Sequence, residues 1–234
     1  MKIIGFSVGK NYKYSRESRR RRRNLRPFIL LLALVIVILV IWCVVNLIIN
    51  IFSIDQDANI KYVGDIPVYE DFLPETAMAR TGEKRNIMYV VIHETDNENA
   101  GADAEAHNKF IHSNGENHEL SWHYTVDDHE IWHHIPDDET AFHAGDHMNK
   151  NGGNKNGIGV EMCVNSDGDY EQTLKNAELL AATLLKEYNL DIKALKKHQD
   201  FSGKVCPSKL INAGRWDEFV QKVDENLKKL NEKK

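Results

Sequence analysis

The sequence predicts an α/β domain in which a β-sheet packs against helices. Between residues 87 and 230, segments with strand character alternate with segments of helical character. Residues 87–93, IMYVVIH, form a nearly continuous apolar run rich in β-branched residues, which is typical of a strand covered on both faces. Residues 171–189 carry apolar side chains at helical spacing, so one face of this helix is expected to lie on the sheet.

The other elements are predicted by the same periodicities. Helical composition and one-sided apolar spacing predict two further helices, at 102–114 and 215–230. Residues 121–126 and 130–135 read as two strands joined by a turn at Asp127-Asp128. Residues 157–164, GIGVEMCV, read as another strand.

The N-terminal part of the chain differs sharply in charge from the remainder. Residues 1–27 contain ten Lys/Arg and one acid, which leaves 20 basic and 34 acidic residues elsewhere, a net charge of −14. The run Arg19–Arg23 could be a nucleic-acid patch. Beside an apolar segment, however, such a run is more typical of an orientation signal that contacts anionic lipid. We therefore predict no nucleic-acid partner.

Residues 28–45 contain eighteen apolar residues without a charge, and the apolar character continues to Phe52. A helix of this length spans a hydrocarbon core of about 30 Å. A buried soluble helix is rarely apolar on all sides, and no cleavage site of a signal peptide follows. We therefore predict an uncleaved membrane anchor. The positive-inside tendency places the N-terminus in the cytoplasm and the rest of the chain outside the cell membrane.

Three residues have the character of zinc ligands. His93 ends the strand at 87–93, and His198 and Cys206 lie in one short loop, HQDFSGKVCP. Two imidazoles and one thiolate can occupy three corners of a zinc tetrahedron, and a catalytic site leaves the fourth for water. The alternatives are that Cys206 is a small buried apolar residue and that the eleven histidines of the chain produce this triple by chance.

Five motifs together resemble the zinc-dependent N-acetylmuramoyl-L-alanine amidases of the type-2 family, and most of all the branch of Bacillus prophage endolysins and autolysins. The family also includes phage lysozyme-type amidases and animal peptidoglycan recognition proteins. The resemblance extends over residues 70–210. The motifs are VIHET (91–95), SWHYTVDD (121–128), IPDDETAFHAGD (135–146), GIGVEMCVN (157–165) and HQDFSGKVCP (198–207).

The resemblance implies a central mixed sheet flanked by helices, with one zinc ion at the sheet edge. It also implies hydrolysis of the amide between N-acetylmuramic acid and L-alanine of the stem peptide, so that peptidoglycan is the expected partner. The family's zinc ligands fall on His93, His198 and Cys206. Glu161 and Lys204 match its catalytic positions.

Chemistry assigns roles to these two residues. Attack of water on an amide needs a base, and the leaving nitrogen needs a proton. In the strand 157–164, alternation separates Glu161 from the apolar face of Val160 and Met162, which suits a carboxylate that faces the metal. A cation at Lys204 would stabilise the developing oxyanion. The alternatives are a surface glutamate on an edge strand and a solvated loop lysine.

Three further residues are predicted to contact the substrate. His143 matches a family histidine at the cleft, and His134 lies beside the motif at 135–146. Trp122 stands where the phage-lysozyme and animal members have a tyrosine, and an indole has no acidic proton to transfer. The acid–base role therefore goes to Glu161.

These assignments complete the predicted organisation. No feature of the sequence specifies an oligomeric state. The alternatives to the amidase are a non-hydrolytic peptidoglycan-binding module, which would not need the ligand Cys206, and a zinc peptidase acting within the stem peptide. The predicted segments are a basic cytoplasmic tail (1–27), the anchor (28–52), a linker (53–84), the catalytic domain (85–213) and an amphipathic helix packed on it (214–234).

Overall fold

The computed structural model describes residues 30–32, 34–46 and 61–232. Its strands are β1 (Lys61–Val63), β2 (Ile66–Glu70), β3 (Tyr89–Glu94), β4 (Tyr124–Val126), β5 (Ile131–His133), β6 (Gly157–Met162) and β7 (Leu195–Lys197). Its helices after residue 60 are α1 (Ala104–Gly115), α2 (Gly153–Asn156), α3 (Tyr170–Glu187), α4 (Gln199–Ser202), α5 (Ser208–Asn212) and α6 (Trp216–Glu232), with a 3₁₀ turn at Ile192–Ala194.

The seven strands form one mixed sheet in the order β1-β2-β5-β4-β6-β3-β7. Strands β4, β6, β3 and β7 are mutually parallel, and β5 is antiparallel to β4. The predicted mixed sheet with flanking helices is therefore confirmed. Because the carboxyl ends of parallel strands meet at one edge, the residues that end β3, β6 and β7 are brought close together.

The main hydrophobic core lies between one face of the sheet and α3, which in turn packs on α6. Ile92 and Val160 from the sheet and Leu185 from α3 are completely buried in it. Helix α6 contributes Phe219 and Val223, as its predicted amphipathic pattern requires. The strand residues between these apolar ones point to the opposite face, which is left for other chemistry.

The predicted hairpin at 121–135 is confirmed. Strands β4 and β5 pair antiparallel, with Val126 opposite Ile131. The carboxylate of Asp127 closes the turn, because its Oδ1 accepts the backbone N–H groups of His129 and Glu130 at 2.9 and 2.8 Å. Its Oδ2 accepts the N–H of Ala104 at 2.9 Å and so binds the first turn of α1 to the hairpin.

The predicted linker at 53–84 needs correction, because much of it belongs to the folded unit. Strands β1 and β2 lie within it, and β2 pairs parallel with β5. Leu73 is completely buried in a second apolar cluster with Ile111. Two strands of three and five residues are too short to show a clear period, and the partner of β2 lies about sixty residues later in the chain, so local pattern does not reveal the pairing. Strand β7 was not predicted either, because its edge position allows the polar sequence LKK.

The predicted tail at 1–27 lies outside the described residues, and the predicted anchor at 28–52 lies only partly within them. Residues 30–32 and 34–46 are helical, and nearly all of their side chains are exposed. None of the helices in the described part of the chain combines the length and the apolar character needed to cross a membrane. Two units, Met1–Asn59 and Ile60–Lys234, are separable by their internal contacts.

The corrected boundary can be tested at Leu73. We expect Leu73→Ala to lower the free energy of unfolding by about 2–5 kcal/mol, because it leaves a cavity in a packed cluster. Met78→Ala in the same segment is the matched control, since Met78 is 54% exposed and should change the free energy by under about 0.5 kcal/mol. Urea unfolding measures both; equally small effects would return residues 61–84 to the status of a linker.

Candidate metal centre and active site

Strand register brings His93 and Glu161 together. In the parallel pair of β3 and β6, His93 lies directly opposite Glu161. Their side chains share the face of the sheet opposite the α3 core, because the neighbouring Ile92 and Met162 point into that core. His93 Nδ1 and Glu161 Oε1 are 3.8 Å apart.

The two other predicted ligands join them from the next strand and its loop. His198 follows β7, and its backbone N–H donates to the carbonyl of Ile92 at 3.2 Å. Its Nδ1 lies 3.0 Å from Nδ1 of His93, and Cys206 Sγ lies 4.0 Å from the same atom. All three candidate ligand atoms lie within 4.8 Å of one another. The structure thus brings together the three residues that were predicted as ligands.

The hydrogen bonds of His143 determine which nitrogen of His93 carries its proton. His143 Nε2 lies 3.1 Å from the carbonyl oxygen of Gly157, which can only accept, so Nε2 carries the proton. Burial lowers the pKa of His143 to about 3, so the ring is neutral and its Nδ1 is an acceptor. That Nδ1 lies 3.0 Å from Nε2 of His93, which must therefore donate. A bare lone pair remains on Nδ1 of His93.

His198 is fixed in the same way. The backbone carbonyl of Ala144 accepts a hydrogen bond from its ring, and because Nδ1 faces His93 the donor is Nε2. Burial lowers the pKa of both imidazoles, that of His93 most strongly, which keeps them neutral. Two lone pairs therefore face each other at 3.0 Å. A cation between them converts this repulsion into two bonds, so the donor set fits a metal ion.

The third donor completes a set suited to zinc. Cys206 is 1% exposed, and burial together with the nearby Glu161 raises the pKa of its thiol to about 12. A bound metal ion would instead lower the pKa of this thiol, since a coordinating thiol loses its proton. Two neutral imidazoles and one thiolate are the ligands zinc accepts at a site with an open fourth position. His93, His198 and Cys206 would hold it.

A cavity of about 370 Å³ opens beside this triad. Glu161 is one of the acidic residues that line it, with a side chain that is only 14% exposed. Burial raises the pKa of Glu161 to about 8, although the Lys204 ammonium lowers it. Its Oε2 is buried and has no hydrogen-bond partner among the described residues. The cavity is lined by Glu94, Thr95, Asp96, Asn97, Ala106, His107, Phe110, Leu120, Trp122, Glu161 and Lys204.

Lys204 lies at the mouth of the cavity with a side chain that is 55% exposed. Its Nζ forms an ion pair with Asp96 Oδ2 at 3.1 Å. Partial burial lowers the pKa of Lys204, but the ion pair with Asp96 together with the nearby Cys206 and Glu161 raises it overall, so the ammonium stays charged. The pair places a positive charge next to the carboxyl group of Glu161.

His134 does not occupy the position predicted for a substrate contact. It is completely buried, and both ring nitrogens have protein partners. The indole N–H of Trp122 donates to Thr125 Oγ1 at 2.6 Å, and that hydroxyl donates to Nε2 of His134 at 2.9 Å. Nδ1 of His134 in turn donates to Asn108 Oδ1 at 3.0 Å. His134 therefore supports the cavity wall through Trp122, which does line the cavity although it is 5% exposed.

The predicted substrate contact at His143 is also corrected by its position. The ring is 6% exposed and lies behind His93, with both nitrogens occupied. The ring of His143 can pack this closely against β6 only because residue 159 is a glycine, since a Cβ there would lie 2.7 Å from Cγ of His143. His143 therefore contacts the candidate ligand His93 and does not line the cavity.

Several cavity residues were missed by sequence reasoning. Asp96 and Asn97 lie in the loop that follows β3, so their position just after His93 was a usable signal. His107 and Phe110 belong to α1, and Leu120 lies in the loop after it. Nothing in the pattern of a polar helix distinguishes the side that faces a cavity.

Comparison with known proteins identifies the family of this chain. The sequence profile of the family described as N-acetylmuramoyl-L-alanine amidase matches residues 83–209. The N-acetylmuramoyl-L-alanine amidase CwlH of Bacillus subtilis (strain 168) is 39% identical over 158 residues, which cover 68% of this chain and 61% of that protein. XlyA of the same organism is 39% identical over 154 residues, 66% of this chain and 50% of that protein. The chain thus spans half to three-fifths of these two curated relatives.

Solved structures agree. The catalytic domain of XlyA superposes with a TM-score of 0.63 at 38% identity, covering 67% of this chain and 98% of that domain. PlyL superposes with a TM-score of 0.61 at 30% identity, covering 68% of this chain and 98% of that structure. The profile match, the curated relatives and the shared fold together show that this chain belongs to the type-2 N-acetylmuramoyl-L-alanine amidase family, in its Bacillus endolysin branch.

Proposed function

We propose that this chain is a membrane-anchored peptidoglycan hydrolase that cleaves the amide between N-acetylmuramic acid and L-alanine, with zinc held by His93, His198 and Cys206. One observation carries the proposal. The donor atoms of His93, His198 and Cys206 lie within 4.8 Å of one another, and Nδ1 of His93 lies 3.8 Å from the buried carboxyl group of Glu161, whose second oxygen has no hydrogen-bond partner among the described residues and which lines an open cavity.

Glu161 is assigned the proton transfers. When bound, zinc would polarise the amide carbonyl and activate a water molecule. Glu161 removes a proton from the attacking water and then delivers it to the leaving nitrogen. The pKa raised by burial suits the delivery of the proton to the leaving nitrogen, whereas the nearby Lys204 ammonium lowers that pKa and favours the ionised form that removes a proton from water.

Lys204 and His143 are assigned supporting roles. The ammonium group of Lys204 lies at the cavity and stabilises the negative charge that develops on the carbonyl oxygen. His143 keeps the proton of His93 on Nε2 and thereby keeps Nδ1 available. The presence of Cys206, Glu161 and Lys204 in one site favours hydrolysis over a binding module that has lost it.

The apolar residues 28–52 are assigned to the membrane. Within the described helical residues, Leu30 is 71% and Trp42 is 64% exposed, so lipid would remove a large apolar surface from water. The preceding arginines would keep the N-terminus in the cytoplasm. The catalytic unit would then face the cell wall.

The product identifies the reaction. We would incubate the full chain in detergent with purified peptidoglycan and determine the new ends by mass spectrometry, with and without a zinc chelator. Free L-alanine amines paired with intact lactyl-muramic acid, abolished by the chelator, are the expected result. Cuts elsewhere in the stem peptide would make the protein a peptidase, and sedimentation with the wall without cuts would make it a binding module.

The acid–base role predicts the effect of one substitution. We expect Glu161→Gln to lower kcat by about 10²- to 10⁴-fold, because it removes the proton carrier, while zinc content is unchanged. Glu130→Gln is the control, since Glu130 lies in the β4–β5 turn and binds Trp132 Nε1. Initial rates of release of L-alanine amines and metal analysis test this; wild-type turnover by Glu161→Gln would remove Glu161 from the mechanism.

The metal site predicts a contrast between two buried cysteines. We expect Cys206→Ala to lose bound zinc and activity and to lower Tm, because metal affinity adds to folding stability. Cys163→Ala should keep its zinc, since Cys163 is equally buried but its Sγ lies near His107. Equal zinc content in the two variants would contradict the ligand assignment.

The anchor predicts a difference in cellular location. We expect the full chain to remain in the membrane fraction after washing with alkaline carbonate, whereas the chain without residues 1–52 should be released. The released form should hydrolyse peptidoglycan in solution at a similar rate, because its site residues are all retained. Recovery of the full chain in the carbonate wash would refute the anchor.

A further inference from the structure

The carboxylate of Glu94 is the meeting point of four hydrogen-bond donors. Glu94 follows His93 directly and is 3% exposed. Its Oε1 accepts the hydroxyl of Tyr170 and the N–H of Leu210, the latter at 3.4 Å. Its Oε2 accepts the N–H of Lys209 at 2.6 Å and lies 3.3 Å from the hydroxyl of Ser208, which it shares with Asp96 Oδ1 at 3.1 Å. Both oxygens are thus fully engaged with the protein, which leaves neither for the reaction.

Three of these donors belong to the segment that carries the third ligand. Ser208 lies two residues after Cys206 and begins α5. A five-residue helix satisfies few of its own amide groups, and the carboxylate of Glu94 binds the first ones that are left free. Because a charged acceptor strengthens each bond, this contact holds the start of α5 firmly against β3.

Backbone hydrogen bonds also connect the chain around Glu94 with all three candidate ligands. The N–H of Glu94 donates to Sγ of Cys206 at 3.5 Å. The carbonyl of Cys206 accepts the N–H of Gln199 at 3.2 Å, and Gln199 follows His198. The chain around Glu94 therefore connects the strand that presents His93 with the loop that presents the other two donors.

We propose that Glu94 is a positioning residue, which holds Cys206 at the distance from His93 and His198 that a metal ion requires, before the ion binds. This inference rests on the zinc site of the proposed function. A metal site tolerates errors of only about 0.5 Å in its donors. When the carboxylate is removed, the ordering of the Cys206 loop must occur on metal binding, and its entropic cost lowers the affinity.

The test uses Glu94→Gln in the full chain in detergent. The glutamine side chain replaces one oxygen of the Glu94 carboxylate by an NH₂ group, which cannot accept the hydrogen bonds of the two donors that face it. We expect the zinc dissociation constant, measured by competition with a chromophoric chelator, to rise about 10- to 100-fold, as for other groups that orient metal ligands. Tyr170→Phe removes a single donor and keeps the negative charge of Glu94, so it should raise the zinc dissociation constant as well, but by a smaller factor.

A second readout needs no metal. In the metal-free protein we would measure the rate at which iodoacetamide labels each cysteine, resolved by peptide mass spectrometry. Glu94→Gln should raise the labelling rate of Cys206 at least tenfold and leave that of the equally buried Cys163 unchanged. Wild-type values of both the zinc constant and the Cys206 labelling rate would overturn the proposal.

Asp127→Asn is the matched control. Asp127 is also buried and also accepts backbone N–H groups, but it does so at the β4–β5 turn and at the start of α1. We expect it to lower the free energy of unfolding without changing the zinc constant or the Cys206 labelling. If it reproduces the effects of Glu94→Gln, those effects reflect general destabilisation and the proposal fails. If wild-type protein binds no zinc, the proposed function fails, while the labelling rates still decide the role of Glu94.

Discussion

The parallel pairing of β3 with β6 and β7 is the constraint on which the site depends. It places His93 opposite Glu161 and brings the loop with His198 to the same edge of the sheet. The spacing between β3, which carries His93, and β6, which carries Glu161, is therefore set by backbone hydrogen bonds, which hold neighbouring strands about 4.8 Å apart. The α3 core on the other face keeps this pairing rigid, because every second residue of β3 and β6 is buried in it.

The protein also determines which nitrogen of each imidazole ring carries the proton. Carbonyl oxygens of Gly157 and Ala144, which are part of the backbone, determine the tautomers of His143 and His198, and His143 passes this on to His93. The nitrogens of the candidate metal ligands are thus prepared by groups outside the candidate ligand set. The site combines rigid strands, prepared imidazoles and a loop bound to β3, each of which lowers the cost of binding an ion.

Much of this arrangement could be predicted from the sequence. The run at 87–93 and the alternation in 157–164 are strong local signals, whereas the spacing of His198 from Cys206 is a moderate one that points to a metal site only together with the family motifs. The buried positions of His134 and His143 could not be predicted, because a histidine at a cleft and one that binds a neighbouring side chain have the same sequence signature. Strands β1 and β2 were missed for a related reason, since their pairing is set by β5 and not by their own pattern.

The donor set also has a consequence for ion selectivity. Mg²⁺ and Ca²⁺ prefer oxygen ligands, and a centre of two imidazoles and one thiolate offers them none. Both ions can therefore be abundant in the surroundings without occupying the centre. Softer ions such as Cu⁺ compete much better for a thiolate, so scarcity of copper, and not exclusion by the protein, would keep such a centre loaded with zinc.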